Sequence, residues 1–333
     1  MTGNKLVIGA GQAGHQLDGL TAGEPRMKAA VIPERGAAPL VAEFPEPGPR
    51  DGAVLIDVAT AGLGGWDVLG AYRLGVGFPC VIRGEGVGRN PAGQRVYFGE
   101  RSVQPFGAWA ERRLVPAEEV WAVPDHIDDQ TAISMGIAAT GALVPLAAAH
   151  LQPCENLLVL GASGVLGQIA LQLARRLGAG QVVGAARSAD ALHRLQAAGL
   201  TDAVVTLGSC DDVAALKAAS QGGFDMVLDL VCGPPVLAAL KATRWGARIM
   251  TVGTAAGRQL PLDMADLLFR SLSTIGTGQR PLADRQSIWR RLLAMDSAQK
   301  ILIPYADFAF DDAAGAWAAQ VAGPHAKVTA RVR

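Results

Sequence analysis

Two different spacings of apolar residues divide the chain. From Met27 to about Leu143 the text is short β-branched or aromatic runs: MKAAVI (27–32), AVLIDVATAGL (53–63), QRVYFG (94–99) and AWAERRLVP (108–116). Glycine and proline clusters such as PEPGPRDG (45–52) part them, so this half is predicted to be β-rich. Its one helical stretch is DDQTAISMGIAATGAL (128–143), with Asp128 or Asp129 able to cap the start.

After Asn156 the period changes. LLVLG is fully apolar, and the segment beyond it places apolar residues at 165, 166, 169, 170, 173, 174 and 177, one face of a helix. Strand-like QVVGAA (181–186), DAVVTL (202–207), DMVLDLV (225–231), ARIMTVG (247–253) and STIGTG (273–278) then alternate with helix-like ADALHRLQAAG (189–199), DVAALKAAS (212–220), PVLAALKAT (235–243) and ADLLFRSL (265–272). Strands this apolar are buried on both faces and parallel, which predicts an α/β doubly wound domain. The last stretch ends in a short helix and a strand expected to return to the first domain. The expected organisation is an extension over 1–26, a β-rich domain over 27–143 joined by 295–333, and a Rossmann domain over 144–294.

Composition removes several classes. Half of the 333 residues are hydrophobic, and thirty basic residues balance thirty acidic ones. That gives no footprint for nucleic acid, and no apolar run approaches the roughly 20 residues of a membrane span. Cys80, Cys154, Cys210 and Cys232 form no CxxC pair, which fits a reducing cytoplasm and argues against a disulfide framework. His15, His126, His150, His193 and His325 lie far apart and form no HExxH motif, and no GxSxG elbow is present. Trp289, Arg290 and Arg291 read as one exposed basic edge.

The chemistry concentrates in Gly161-Ala162-Ser163-Gly164-Val165-Leu166-Gly167, between an apolar strand and an amphipathic helix. In a dinucleotide site the first glycine allows the tight turn, the second admits the pyrophosphate and the third lets helix pack on strand. The helix N-terminus adds unpaired N–H groups and partial positive charge. About twenty residues beyond Gly167, where an NAD enzyme places a carboxylate, stand Arg187 and Ser188. A guanidinium suits a 2′-phosphate, so NADPH is the expected cofactor. An earlier glycine set, Gly9, Gly11 and Gly14 in LVIGAGQAG, lacks the roughly 30-residue βαβ unit that such a site requires.

MKAAV, the GASGVLG turn, AGLGGWD (61–67), RGEGVG (83–88), FGAWAERRLVP (106–116), GFDMVLDLVCG (223–233) and GPHAK near the end together resemble the medium-chain dehydrogenase/reductase superfamily over residues 27–333. The resemblance implies a GroES-like first domain, a cofactor held between the domains, and a homodimer joined at the sheet edge near STIGTG. Zinc-dependent members carry a cysteine in the first landmark and a His-Glu pair in the second. Here those places hold Gly64 and Gly84, with Glu85 left alone, so no metal is expected.

The zinc-free branch that this chain resembles reduces quinones and α,β-unsaturated carbonyls, which implies a small-molecule quinone or enone as acceptor. Two further readings stay open: an enoyl-thioester reductase, and a non-catalytic NADPH-binding protein. The resemblance implies a catalytic role for Tyr72, beside the nicotinamide, in substrate contact or proton donation, and for Asp67; otherwise Tyr72 is a packed surface tyrosine and Asp67 only orders its loop. It also implies that the backbone of Val252, Gly253 and Thr254 holds the carboxamide. The family's threonine in the helix between the domains appears as Ala138, with Thr140 near it. Arg83 either anchors an anionic acceptor or faces water.

Overall fold

The computed structural model describes residues 25–69, 77–99, 103–208, 211–276 and 280–333. Residues 1–24 of the expected extension, including Gly9, Gly11 and Gly14, lie outside these, as do Tyr72 and Cys210. The described chain forms two units. One runs to Ile133 and takes in Ala306–Ala322 and Val328–Arg333; the other comprises Ser134–Tyr305 and Gly323–Lys327.

The first unit contains β1 (Arg26–Ile32), β2 (Leu40–Pro45), β3 (Ala53–Leu63), the short helix α1 (Gly65–Leu69), β4 (Cys80–Val81), β5 (Glu85–Arg89), β6 (Arg95–Phe98), β7 (Arg112–Pro116), β8 (Val120–Ala122) and α2 (Asp129–Ser134). Strands β2-β1-β4 form one sheet, with both pairings antiparallel. Strand β3 pairs antiparallel with both β5 and β7, and β5 leads on through β6 to β8. The core between these strands is built on Trp109, Phe98, Ile56 and Ile82. RGEGVG reads as a turn in the sequence, yet most of it is strand β5. A Cβ at Gly86 would sit 2.6 Å from Thr60 O, and one at Gly88 would overlap the Asp57 carbonyl. These glycines let β5 press against β3, a demand that residue spacing does not reveal.

The expected helix over 128–143 is two helices: α2, and α3 (Ile137–Ala148), which starts after Gly136. Asp128 caps α2, its carboxylate accepting the Thr131 N–H at 2.7 Å. Helix α3 packs on α4 (Val165–Arg176) and belongs with the second unit, so the observed division falls before the expected 143/144.

The second unit is built on β9 (Leu157–Leu160), β10 (Val182–Ala186), β11 (Ala203–Thr206), β12 (Phe224–Asp229), β13 (Thr243–Thr251) and β14 (Ser271–Thr274), parallel in the order β11-β10-β9-β12-β13-β14. Every residue of β9 and β10 is buried, as strands covered on both faces must be. Between them run α4, α5 (Ala189–Ala197), α6 (Asp212–Ala219), α7 (Pro234–Leu240) and α8 (Met264–Leu267). The expected helix over 265–272 closes at Leu267, and Ser271 and Leu272 already pair with β13. Helix α9 (Leu282–Ala298) buries Trp289 and leaves Arg290 and Arg291 exposed, so the expected basic edge consists of the arginines without the tryptophan. The chain closes with β15 (Tyr305–Ala309), α10 (Ala313–Ala322) and β16 (Lys327–Arg331), the last pairing antiparallel with β3. Among the described residues no helix is long and apolar enough to cross a membrane.

Candidate active site

In an open parallel sheet, ligands bind beyond the carboxyl ends of the strands. The candidate cofactor residues gather at that end of the six-stranded sheet. Gly161–Leu166 follow β9, Arg187 and Ser188 follow β10, and Val252–Thr254 follow β13.

Each glycine of the turn answers a separate constraint. Gly161 has φ +82°, and a Cβ there would press on Val231 Cγ1 at 2.9 Å. At Gly167 a Cβ would come within 2.7 Å of Ala162 Cα, so helix and turn pack face to face. Gly164 is different: its built Cβ meets only Gly161 O, at 3.6 Å, leaving that side of the turn open. Gly164 is also the N-cap of the 12-residue helix α4 and makes no side-chain cap, which leaves the N–H groups of the helix's first turn to another partner.

The turn is braced from below. Gly161 and Ala162 donate their N–H groups to Ala185 O, at 2.8 and 3.1 Å. Gln168, buried on α4, donates from Nε2 to Ser163 O at 2.8 Å. One helical turn on, Gln172 Nε2 donates to Leu302 O at 2.9 Å while its Oε1 accepts the Leu302 N–H at 2.8 Å. Neither glutamine stood out in the sequence. They sit beside the apolar stripe, and the stripe does not disclose that a later segment covers them.

The loops after β12 and β13 interlock through Asp229, which is fully buried. Its carboxyl accepts the N–H groups of Val231 and Cys232, at 3.0 and 2.8 Å, and the Thr251 hydroxyl at 3.0 Å. Burial pushes its pKa up and these bonds pull it back, with burial prevailing. Val252 N–H meets Asp229 O at 2.8 Å, and a side chain at Gly253 would overlap the Leu230 carbonyl. Sequence reading missed Asp229, because a buried carboxyl at a strand end looks no different from a surface one.

Arg187 is exposed. The Ser188 hydroxyl oxygen accepts the Ala191 N–H at 3.3 Å as N-cap of α5, a task the sequence reading did not assign it, and its proton remains available to donate. Thr140 lies half-buried on α3.

Asp67, expected to be catalytic, is buried in the first unit with both oxygens engaged. Oδ2 accepts the Gly64 N–H at 2.9 Å and Oδ1 the Gly84 N–H at 3.1 Å. This geometry orders the loop. Gly84 has φ +54°, and a Cβ there would run into Gly62 O and touch the Trp109 ring. Glu85 is buried and accepts the Tyr97 hydroxyl at 2.6 Å, while Arg113 donates to Gly84 O at 3.2 Å. A zinc ion does not fit these residues, since position 84 has no room for a ligating side chain and the carboxylates of Asp67 and Glu85 are already bonded. Among the described residues no three of His, Cys, Asp and Glu come together to hold a metal. Arg83 lies near Cys80, whose thiol burial pushes up to about 11 against the pull of that guanidinium. Cys232 is buried, whereas Cys154 is exposed.

A family model described as zinc-binding dehydrogenase matches residues 165–295. Quinone oxidoreductase-like protein 2 of Mus musculus is 28% identical over 176 residues, covering 52% of this chain and 50% of that protein. Acrylyl-CoA reductase AcuI of Ruegeria pomeroyi is 27% identical over 210 residues, covering 60% of this chain and 62% of the relative. The chain thus spans about half the length of the first of these curated relatives. The quinone oxidoreductase of Thermus thermophilus, solved also in complex with NADPH, superposes with a TM-score of 0.74 at 27% identity, over 92% of this chain and all of that one. Two-unit architecture, glycine turn and these likenesses agree: the chain is similar to the medium-chain dehydrogenase/reductase superfamily, in its quinone oxidoreductase-like branch.

Proposed function

We propose that the chain is an NADPH-dependent, zinc-independent reductase that delivers hydride to a quinone or an α,β-unsaturated carbonyl. The observation that carries this reading is the glycine turn: a Gly161 at positive φ, a tightly packed Gly167 and, between them, a Gly164 whose outer side is open beside a helix N-terminus without a side-chain cap. A pyrophosphate fits there, admitted by the bare Cα of Gly164 and its charge met by the backbone N–H groups of Val165 and Leu166 and the helix dipole, with Ala162 and Ser163 shaping the floor. Arg187 pairs the 2′-phosphate and Ser188 donates its hydroxyl proton to it, while the backbone of Val252–Thr254 holds the carboxamide. When bound, NADPH supplies the hydride, and the protein's part is to place the donor and the acceptor. Tyr72 is the proposed proton donor to the reduced acceptor. Asp67 serves the loop and not the chemistry.

Gly64 and Gly84 stand where zinc-dependent members carry ligands, so no metal polarises an alcohol, and an acceptor that is already electrophilic suits the site better. The likeness to an acrylyl-CoA reductase favours a second reading, reduction of an enoyl thioester. Following NADPH absorbance with a quinone, an enone and acrylyl-CoA in turn tests both readings. NADPH bound but consumed with none of the three would instead mark a non-catalytic binder.

We further propose a homodimer. Strand β14 is the edge of the parallel sheet, and an open edge is normally covered. Beside it Trp245 is 76% exposed and stacks on Phe269, with ring centroids 4.7 Å apart, and Met264 and Leu268 are exposed as well. A solvent-facing apolar group of this kind fits a covered interface. The free thiols of Cys80, Cys154 and Cys232 suit the cytoplasm.

A further inference from the structure

His325 reaches back across the second unit to the glycine turn, its Nδ1 3.1 Å from Ser163 O. A carbonyl only accepts, so Nδ1 carries the proton in this contact. The amide of Gln168 donates to the same Ser163 oxygen and also to His325 O, at 2.8 Å each. The Ser163 carbonyl is thereby held from two sides, and the residue holding one side is itself held by the residue holding the other. His325 accepts a cost for this position: its φ is +56°, in the left-handed region that residues other than glycine seldom occupy. Its ring lines a cavity of about 440 Å³ with Arg194 of α5, among Leu195, Leu302 and Pro304.

We infer that His325 is a positioning residue for the phosphate-binding turn, a role that rests on the NADPH reading of that turn. The Ser163 carbonyl and the Gly164 N–H belong to one peptide, and that N–H closes the turn on Gly161 O at 3.1 Å. Fixing the carbonyl fixes the peptide plane, and with it the N-terminal turn of α4 that faces the phosphates. Without the imidazole, Gln168 holds the carbonyl alone, and the turn must be ordered when the cofactor arrives.

Two substitutions in the full chain separate the N–H donor from the backbone shape. His325→Gly keeps the left-handed backbone and removes the donor, whereas His325→Asn tolerates that backbone and supplies an amide N–H. NADPH affinity is read from nicotinamide fluorescence, and hydrogen exchange over residues 163–168 is read without cofactor. His325→Gly should raise the NADPH Kd roughly three- to tenfold, the weight of one neutral hydrogen bond, with kcat retained and exchange faster. His325→Asn should return both readings towards wild type. A glycine variant that binds and exchanges like wild type overturns the proposal. So do glycine and asparagine variants that are equally weak, since ring bulk and not the donor would then matter. A wild type that binds no NADPH overturns the cofactor reading and the role built on it, and the exchange measurement tells that failure from a failure of His325 to hold the turn.

Discussion

Asp67 accepts the backbone N–H of Gly84 at 3.1 Å, joining two loops 17 residues apart. The same carboxylate accepts the N–H of Gly64, so Asp67 ties together the two glycines that stand where the resemblance puts the ligands of zinc-dependent members. With φ at +54° and the Gly62 carbonyl where a Cβ would go, position 84 admits only glycine without rearrangement. Gly84→His should therefore lower stability in urea by about 2 kcal/mol or more, by strain and overpacking, without creating zinc affinity. A variant of unchanged stability that holds one zinc per chain by elemental analysis would contradict this reading of the loop.

Asp67→Asn probes the same junction from the other side. The amide keeps the shape but offers one oxygen where two N–H groups need acceptors, and its NH2 opposes the second. A buried group left unsatisfied costs about 1–3 kcal/mol, so Asn should destabilise by that amount. If Asp67 were the proton donor, kcat would collapse with stability intact. We expect the reverse: lowered stability with most of kcat retained.

The thiols should differ in reactivity. Cys80 is buried and its pKa stands at about 11, above the ordinary 9.0, so it remains protonated at pH 8. Because folding raises that pKa, the stability linked to the protonated thiol is present at neutral pH and fades as pH climbs towards 11. Cys154 is exposed. Alkylation of the native protein at pH 8, mapped by mass spectrometry, should modify Cys154 first and leave Cys80 untouched until unfolding. Labelling of Cys80 at a comparable rate would show that its pocket opens in the native state.

The alternation of apolar strands and amphipathic helices after Asn156 was legible because strands buried on both faces must be apolar throughout. The glycine turn was legible because strand, turn and helix each leave a local mark. What escaped was the work of buried polar groups. Gln168, Gln172, Asp229 and His325 act through partners up to 162 residues away, and nothing local marks them as buried. Strand β5 escaped for a related reason: Gly86 and Gly88 resemble turn residues, and their purpose is the approach of β3. Asp67 was singled out by resemblance, and its part in ordering the loop shows only in the N–H groups of Gly64 and Gly84 that it accepts.

The proposed dimer predicts a mass of two chains in solution at micromolar concentration. Trp245→Asp would place a charge in the covered patch and remove the stack on Phe269, so it should shift the protein towards monomer in light scattering without unfolding it. A wild type that is monomeric at tens of micromolar would reject the assembly.

Cofactor choice tests the central proposal most directly. The measurement is kcat/KM for NADPH and for NADH with a quinone acceptor, in wild type and in Arg187→Ala. A charge-assisted bond contributes about 1.5–3 kcal/mol, and about 1.4 kcal/mol is tenfold, so the wild type should favour NADPH. Arg187→Ala should then lower kcat/KM for NADPH roughly 10- to 100-fold and leave NADH nearly unchanged, because the lost guanidinium had no phosphate to pair there. Arg194, one of the residues lining the cavity beside the turn, would blunt that loss if it shares the phosphate, and a double variant would restore the full effect. Equal loss for both cofactors, or a wild type that oxidises NADH faster, would contradict the account.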